Sequence, residues 1–134
     1  MASPAQGTTL TRAEKVRHAY RIARNQLGDP YRYGAAGPRA FDCSGLSYYS
    51  YHRAGFWRLP RTSSRQARFA RHIHRSRMRL GDLVFFYGGG GVYHVAMFAG
   101  WHNGHRIIIH SPHPGARVRR ERIWTQNWFA GTLR

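Results

Sequence analysis

Cys43 is the single cysteine of the chain, and it lies in the stretch AFDCSGLSYYSY, where Ser44 and Gly45 follow it. A helix is predicted to begin at this cysteine and to run to about Arg53, with Asp42 as its N-cap. A thiol in the first turn of a helix ionises more easily, because the helix dipole stabilises the thiolate there. Three roles are open for Cys43: a buried space-filling side chain, a metal ligand or a nucleophile.

Nine histidines provide candidate bases for a thiol nucleophile, and two of them are distinguished by their surroundings. His94 lies among apolar residues in the predicted strand VYHVAMFAG, and His110 ends the next predicted strand, HRIIIHS. The strands are joined through WHNG, which is typical of a hairpin turn, so the two histidines are expected on neighbouring strands. The spacing by itself leaves two roles open, that of hydrogen-bonded core residues and that of a Cys43–His94–His110 site.

A metal site is the alternative role for the other histidines. His72 and His74 would share one face of a strand, but they fall in or just after an arginine-rich stretch predicted to be helical, with no acidic residues near. His102, His105 and His113 also invite this interpretation, but a single cysteine excludes the Cys₄ and Cys₂His₂ zinc sites. We therefore expect neither a metal ion nor another cofactor.

The elements that position these residues come in the order helices first, strands second. Thr11 and Glu14 have the spacing of a capping box in front of a helix, and a third helix is predicted from about Ser63. Strands are predicted at GDLVFFY, VYHVAMFAG and HRIIIHS, with ARVRR as a candidate fourth strand and an apolar tail that packs on the sheet. This order predicts an α+β fold with helices on one side of a small antiparallel sheet.

Length and composition are those of one globular domain. The chain has 134 residues, 42% of them hydrophobic, and no apolar run long enough to cross a membrane. Residues 1–10 are predicted to be a flexible lead-in, and residues 11–134 a single domain. The N-terminus lacks the apolar stretch of a signal peptide, so either the protein is intracellular or an export signal lies outside this chain.

The charge is strongly positive, with 22 lysines and arginines against 5 acidic residues and a net charge of +17. Such a field attracts polyanions, which include nucleic acid, anionic lipid and acidic wall polymers. The run RQARFARHIHRSRMR resembles a nucleic-acid patch, but the tryptophans are not interleaved with it. A solvated helix face is therefore the favoured interpretation, and nucleic acid the less favoured partner.

Five stretches in order, DCSGL, LPRTSSRQ, RLGDLVFF, HVAMFAG and IIIHS, resemble the NlpC/P60 family of cell-wall cysteine peptidases. The upstream PYRYG is similar to the family's Tyr-x-Trp-Gly element, with Tyr33 in the tryptophan position. The resemblance covers about residues 12–134. It implies a papain-like α+β core in which the nucleophile opens a helix packed on an antiparallel sheet, and it implies no cofactor.

The resemblance also implies catalytic roles. Cys43 would be the nucleophile, and His94 would be the general base that takes the thiol proton and later protonates the leaving amine. His110 would orient His94. Tyr31 would help to form the oxyanion site, with the backbone N–H of Cys43 as a further donor.

Other positions are less closely matched. Asp42 and Ser44 are expected at the oxyanion site or cleft, although a capping role is favoured for Asp42. The segment between the two matched histidines is longer than is usual in the family. His102 and His105 are therefore alternatives to His110 as the third residue, although they belong to the hairpin turn.

The implied function is that of a thiol protease that cleaves stem peptides of bacterial peptidoglycan, at the bond between D-glutamate and a diamino acid. The expected partners are these peptides and, through charge, anionic wall polymers. We expect a monomer that is secreted or bound to the wall, of bacterial or phage origin. The alternatives are a basic polyanion- or wall-binding module with reduced activity, and another amidase or acyl transferase on the same scaffold.

Overall fold

The structure is a computed structural model that describes residues 9–134, so most of the lead-in predicted for residues 1–10 lies outside the described residues. Within them, the helices are α1 Arg12–Asn25, α2 Cys43–Arg53 and α3 Ser63–Phe69. The strands are β1 Arg71–Ile73, β2 Leu83–Gly88, β3 Gly91–His102, β4 His105–His110, β5 Arg119–Arg122 and β6 Trp128–Thr132, and a 3₁₀ turn at Arg75–Arg77 separates β1 from β2.

The first two helices begin where the sequence supplies a cap. The Thr11 hydroxyl accepts a hydrogen bond from the Glu14 N–H at 3.1 Å, and the Glu14 carboxylate accepts one from the Thr11 N–H at 2.8 Å. This geometry confirms the predicted capping box. Asp42 caps α2 by accepting a hydrogen bond from the Gly45 N–H at 2.7 Å. The helix therefore starts at Cys43, as predicted, and its first turn carries the thiol.

All six strands belong to one antiparallel sheet with the order β1-β6-β2-β3-β4-β5. The consecutive strands β2 to β5 form the expected meander. The apolar tail was expected only to pack on the sheet, but it enters the sheet as β6, between β1 and β2. Its residues are nearly all buried, which is the environment of a strand with neighbours on both edges.

Two segments differ from the sequence predictions. Residues Arg71–Ile73 form the edge strand β1, which was not predicted, and His72 lies on it just after α3, one of the two positions expected for it. Only the last two residues of the candidate strand ARVRR belong to a strand of the sheet, because its first residues pair with the loop before α2. The Tyr31 N–H donates to the Ala116 carbonyl, and the Val118 N–H donates to the carbonyl of Asp29. Strand β5 consequently begins only at residue 119.

The helices pack on one face of the sheet, where α2 and α3 contact β3 and the larger apolar core forms. A second, smaller apolar cluster includes Val84, Phe86, Phe98 and Trp128. The predicted α+β fold, with helices on one side of a small antiparallel sheet, is confirmed. No helix of residues 9–134 is both long and apolar enough to cross a bilayer.

Candidate active site

A cavity of about 300 Å³ brings four of the predicted site residues together. Cys43 comes from the start of α2, Tyr31 from the loop before it, and His94 and His110 from β3 and β4. The remaining lining residues are Tyr93, Pro112, His113, Arg119, Glu121 and Trp124. Residues from distant parts of the sequence therefore surround one space with a thiol and two imidazoles in its wall.

Cys43 is half-buried in the first turn of α2. Burial raises the pKa of its thiol and the charge of Asp42 acts in the same direction, whereas the backbone N–H groups of Val95 and Ser44 oppose them. The helix start was expected to favour the thiolate, but burial outweighs that effect. The thiol therefore keeps its proton at neutral pH and needs a base in order to become a nucleophile.

The two histidines form a hydrogen-bonded chain that ends at an acid. His94 Nε2 lies 2.8 Å from His110 Nδ1, and His110 Nε2 lies 2.7 Å from Glu121 Oε1. Glu121 also accepts a hydrogen bond from Arg119 Nε at 3.0 Å. The three neighbouring strands β3, β4 and β5 each supply one member of this chain.

The acid determines where the protons lie along the chain. Burial works to raise the pKa of Glu121, but hydrogen bonds from His110 and Arg119 outweigh it and lower that pKa, so the carboxylate is ionised. A carboxylate can only accept, and His110 Nε2 must therefore carry the hydrogen. In the neutral ring, His110 Nδ1 then accepts from His94 Nε2–H. This assignment from the hydrogen-bond network leaves His94 Nδ1 without a hydrogen.

Both imidazoles are neutral at neutral pH. Burial lowers the pKa of His94 to about 3, and the neighbouring His110 acts in the same direction. Burial also lowers the pKa of His110, although its hydrogen bond to Glu121 opposes this effect. A neutral imidazole with an unprotonated ring nitrogen is the form that accepts a proton from a thiol.

Tyr31 lines the same cavity, as the resemblance implies. Its backbone N–H donates to the Ala116 carbonyl at 2.9 Å, which ties the loop to the segment before β5. Burial raises the pKa of the Tyr31 phenol, and the neighbouring Cys43 acts in the same direction. The hydroxyl therefore keeps its hydrogen and can donate it to an oxyanion.

Trp124 provides an aromatic wall beside the histidines. Its ring stacks on Phe86 with the centroids 4.4 Å apart, and it lies 5.8 Å from the His110 ring and 6.1 Å from the His94 ring. Half of its surface is exposed. The structure therefore places this tryptophan in the cavity wall.

Asp42 and Ser44 were expected at the cleft, but the structure does not place them among the residues that line the cavity. Asp42 accepts hydrogen bonds from the N–H groups of Gly45 and Gly34 and from Arg61 Nη2 at 2.9 Å. The Ser44 hydroxyl accepts from Arg61 Nη1 at 2.8 Å. Arg61 thus fixes both side chains by hydrogen bonds at the N-terminus of α2, where they support the turn that carries the thiol.

The third member of the chain is His110 rather than a histidine of the hairpin tip. His102 and His105 pair with each other across the turn, and both are exposed. His110 is buried and bonds directly to His94. The additional length between the two matched histidines therefore lies in the hairpin tip and leaves the contact between His94 and His110 intact.

Glu121 is the site residue that the sequence analysis does not identify. One signal was available, because acidic residues are rare in this chain, with 5 against 22 basic ones. An isolated acid close to a predicted edge strand is unusual in that background. Its pairing with His110 nevertheless depends on the register of β4 against β5, which residue spacing does not specify. The metal interpretation of the remaining histidines gains no support, since residues 9–134 contain no group of side chains suited to hold a metal ion.

The chain belongs to the NlpC/P60 family, whose family model matches residues 28–133. Murein DD-endopeptidase MepH of Escherichia coli is 40% identical over 123 residues, which is 85% of this chain and 44% of that protein. Probable endopeptidase p60 of Listeria monocytogenes is 44% identical over 85 residues, 63% of this chain and 17% of that protein. The chain thus spans less than half the length of either relative.

Solved structures show the same fold. The NlpC/P60 domain of the peptidoglycan hydrolase SagA superposes with a TM-score of 0.76 at 29% identity, covering 88% of this chain and 98% of that one. The peptidoglycan hydrolase RipB of Mycobacterium tuberculosis gives a TM-score of 0.76 at 27% identity, covering 99% and 73%. The family resemblance found in the sequence is therefore confirmed.

Proposed function

We propose that the chain is a cysteine endopeptidase that hydrolyses stem peptides of bacterial peptidoglycan. The observation that carries the proposal is the hydrogen-bonded chain from Glu121 through His110 to His94, which ends in the cavity that also contains Cys43. Family membership supports it, as do relatives that are named endopeptidases.

The first half of the reaction makes a thioester. The Cys43 thiol gives its proton to His94 Nδ1, and the sulfur attacks the carbonyl carbon of the scissile bond. The carbonyl electrons move onto oxygen, where the Cys43 N–H and the Tyr31 hydroxyl donate hydrogen bonds to the oxyanion. When the intermediate collapses, the carbon–nitrogen bond breaks and His94 returns its proton to the leaving amine.

The second half releases the acyl group. His94 takes a proton from a water molecule, which attacks the thioester carbonyl, and the sulfur leaves and regains its proton from His94. The same imidazole therefore serves as base and acid in both halves. Its Nδ1 is the exchanging atom, because the hydrogen bond with His110 occupies Nε2.

His110 and Glu121 act on the base rather than on the substrate. Protonation of His94 is costly, because burial lowers its pKa to about 3. The positive charge of the imidazolium is stabilised by His110 Nδ1, which accepts from Nε2–H, and by the charge of Glu121, which raises the pKa of His94. We assign His110 and Glu121 as positioning residues that make the imidazolium accessible during the reaction.

Two bonds are candidates for the cut. The family resemblance implies the bond between D-glutamate and a diamino acid, and we keep it as the first candidate. The identity of 40% with a protein named a DD-endopeptidase favours a bond between two D-residues instead. Product masses distinguish them, because the first cut shortens a single stem and the second separates two joined stems.

We also propose a location outside the cell or in the cell wall, and anionic wall polymers as electrostatic partners. The net charge of +17 supports this partner, since acidic polymers concentrate a basic protein near their surface. A binding module with reduced activity, or another amidase or acyl transferase on this scaffold, is the alternative. The hydrogen-bonded chain of two buried histidines and an acid favours an enzyme, because binding alone does not require it.

The test is the release of muropeptides from purified peptidoglycan, with and without cross-links. We expect Cys43→Ala and His94→Ala to abolish release, whereas His102→Ala, an exposed histidine of the hairpin tip, serves as the matched control and retains it. Release by Cys43→Ala at the native rate contradicts the nucleophile. Salt-sensitive binding to the wall without any release by the native chain favours the binding module.

A further inference from the structure

A second cavity, of about 150 Å³, shares no lining residue with the catalytic cavity. It lies between the 3₁₀ turn, the β3–β4 hairpin, the segment between β5 and β6, and the start of β6. We call it the hairpin cavity. The lining residues that matter here are Arg75, Trp101, Arg106, Thr125, Gln126 and Trp128.

Two arginines stack on the tryptophans of the hairpin cavity. The Arg106 guanidinium carbon lies 4.6 Å from the ring centre of Trp101 and 5.4 Å from that of Trp128. The Arg75 guanidinium carbon lies 4.0 Å from the Trp128 ring centre. Stacking occupies the flat face of a guanidinium and leaves the N–H groups in its plane to form hydrogen bonds. The orientation of the donors is therefore held by aromatic contacts.

Arg106 carries a donor without an acceptor. Its Nε is buried and has no hydrogen-bond partner among residues 9–134, a condition shared by one other buried side-chain atom, the hydroxyl oxygen of Ser50. A buried donor on a charged group is costly to leave unpaired. Because Arg106 lines the hairpin cavity, an acceptor that enters the cavity from outside the chain can pair with its guanidinium.

Three oxygen atoms beside the hairpin cavity accept hydrogen bonds from Arg75. Arg75 donates to the backbone carbonyls of Gln126 and Trp128 at 2.7 Å each, and to the side-chain oxygen of Gln126 at 3.3 Å. Because the side-chain oxygen of Gln126 accepts from Arg75, the N–H groups of this amide remain as donors. The Thr125 hydroxyl accepts from the Asn127 N–H at 3.2 Å and keeps its own hydrogen to donate. The described lining contains no acidic residue, so donors and positive charge predominate.

A cavity with positive charge and unpaired donors selects an anion that has several oxygen atoms. Arginine is the side chain best suited to phosphate, because its planar fork can donate two parallel hydrogen bonds. The volume, about 150 Å³ against about 300 Å³ for the catalytic cavity, suits a single phosphate group better than a peptide segment. We propose that the hairpin cavity binds a phosphate group of a phosphodiester-linked anionic polymer of the cell wall.

Only the choice of a wall polymer rests on the proposed function, while the phosphate site rests on the cavity itself. The segment between β5 and β6 connects the two sites. Thr125 and Gln126 line the hairpin cavity, and Trp124 lines the catalytic cavity. A polymer bound at the hairpin cavity therefore contacts the segment that carries the aromatic wall of the active site and keeps the enzyme beside its substrate.

The test uses Cys43→Ala protein throughout, so that binding is measured without hydrolysis and does not depend on the proposed nucleophile. Calorimetry measures the affinity for poly(glycerol phosphate) of this protein and of the additional variants Arg106→Gln, Arg106→Lys and Arg21→Gln. Arg21 is an exposed residue of α1, so its variant removes the same charge away from the cavity. NMR follows the Arg106 Nε–H signal during addition of inorganic phosphate, and thermal unfolding checks that the variants fold.

We expect the Arg106 Nε–H signal to shift when phosphate binds to the guanidinium. Arg106→Gln should weaken polymer binding about tenfold, the value of one charge-assisted hydrogen bond. Arg106→Lys should weaken it nearly as much, because lysine keeps the charge but has no planar fork. Arg21→Gln should weaken it by less than about twofold, as expected for a solvated surface charge.

Each of the following results overturns the proposal. Equal weakening by Arg106→Gln and Arg21→Gln, or native affinity of Arg106→Lys, shows that only diffuse charge attracts the polymer. A phosphate-free carboxylate polymer that binds as tightly, with the same dependence on Arg106, excludes phosphate as the selected group. Tighter binding of duplex DNA with that dependence excludes the wall as the source. If the Arg106 variants unfold, an unmoved Nε–H signal in the unsubstituted Arg106 protein overturns the phosphate site.

Discussion

Replacing Glu121 tests whether this acid acts on His94 through His110. Alanine removes the acceptor and the charge, whereas glutamine keeps an oxygen that can accept from His110 Nε2–H and removes only the charge. Glu14→Gln on α1 is the matched control, because it removes one acidic charge outside the site. Glutamine also forms a capping box at the N3 position that Glu14 occupies, so the helix cap is kept.

The expected magnitude follows from one hydrogen bond. A hydrogen bond to a charged group contributes about 1.5 to 3 kcal/mol. The Glu121 side chain is 33% exposed, so solvent screens its charge and the lower value applies. About 1.5 kcal/mol in the transition state lowers kcat/KM about tenfold for Glu121→Ala, and Glu121→Gln should lose about threefold. Glu14→Gln should keep the native rate.

The assay measures kcat and KM on a soluble stem peptide between about pH 4 and pH 8. Two further measurements need no substrate. Alkylation of Cys43 by iodoacetamide reports how readily the thiol loses its proton, and nitrogen NMR of the imidazoles reports their tautomers. We expect slower alkylation in Glu121→Ala, and loss of the preference of His110 for the Nε2–H form.

Two outcomes would refute this reasoning. The first is a native rate and native tautomers in Glu121→Ala, which would make the pairing of Glu121 with His110 irrelevant to the base. The second is a raised KM with unchanged kcat, which would mean that Glu121 contacts the substrate instead of positioning His94.

Three further predictions concern folding, pH and salt. A Cβ on Gly45 would clash with the Ala35 carbonyl oxygen, so Gly45→Ala should destabilise the domain by about 1 to 3 kcal/mol in thermal unfolding. Gly90→Ala is the control, because a Cβ there has no neighbour within 4 Å, and equal unfolding midpoints of the two variants would count against this packing. Burial lowers the pKa of His94 from 6.5 to about 3, so on acidification the unfolded state binds this proton before the folded state does. The free energy of unfolding should therefore fall by a few kcal/mol between about pH 6.5 and pH 3. Denaturation measurements that give the same stability across this pH range would contradict the prediction. Wall binding and cleavage should both weaken as salt rises, and salt-independent binding would exclude an electrostatic attachment.

Much of the local structure was predictable because its signals lie within a few residues. Thr11 and Glu14 form the expected box, and Asp42 caps the helix that starts at Cys43. The hairpin between His94 and His110 follows from its turn residues, and it places the two histidines on neighbouring strands. Such signals are backbone preferences and hydrogen bonds between residues close in sequence, which act before any tertiary contact forms.

Other features could not be predicted from short-range patterns. The apolar tail could have covered the sheet or joined it, and only the pairing of β6 with both β1 and β2 decides between these arrangements. Asp42 and Ser44 were expected at the cleft, but both form hydrogen bonds with Arg61, which comes from a later part of the chain. Side-chain direction at these positions depends on a partner that spacing does not reveal.

The sequence by itself determined the family and the order of helices before strands. Through the resemblance to that family it also identified Cys43, His94 and His110 as the candidate catalytic set, because the ordered motifs carry that information. Only the tertiary structure decided that burial raises the pKa of the thiol and lowers those of the imidazoles, and that Glu121 completes the chain. The reason is physical: desolvation and strand register are properties of the packed molecule, in which distant segments exclude water and align their hydrogen-bonding groups.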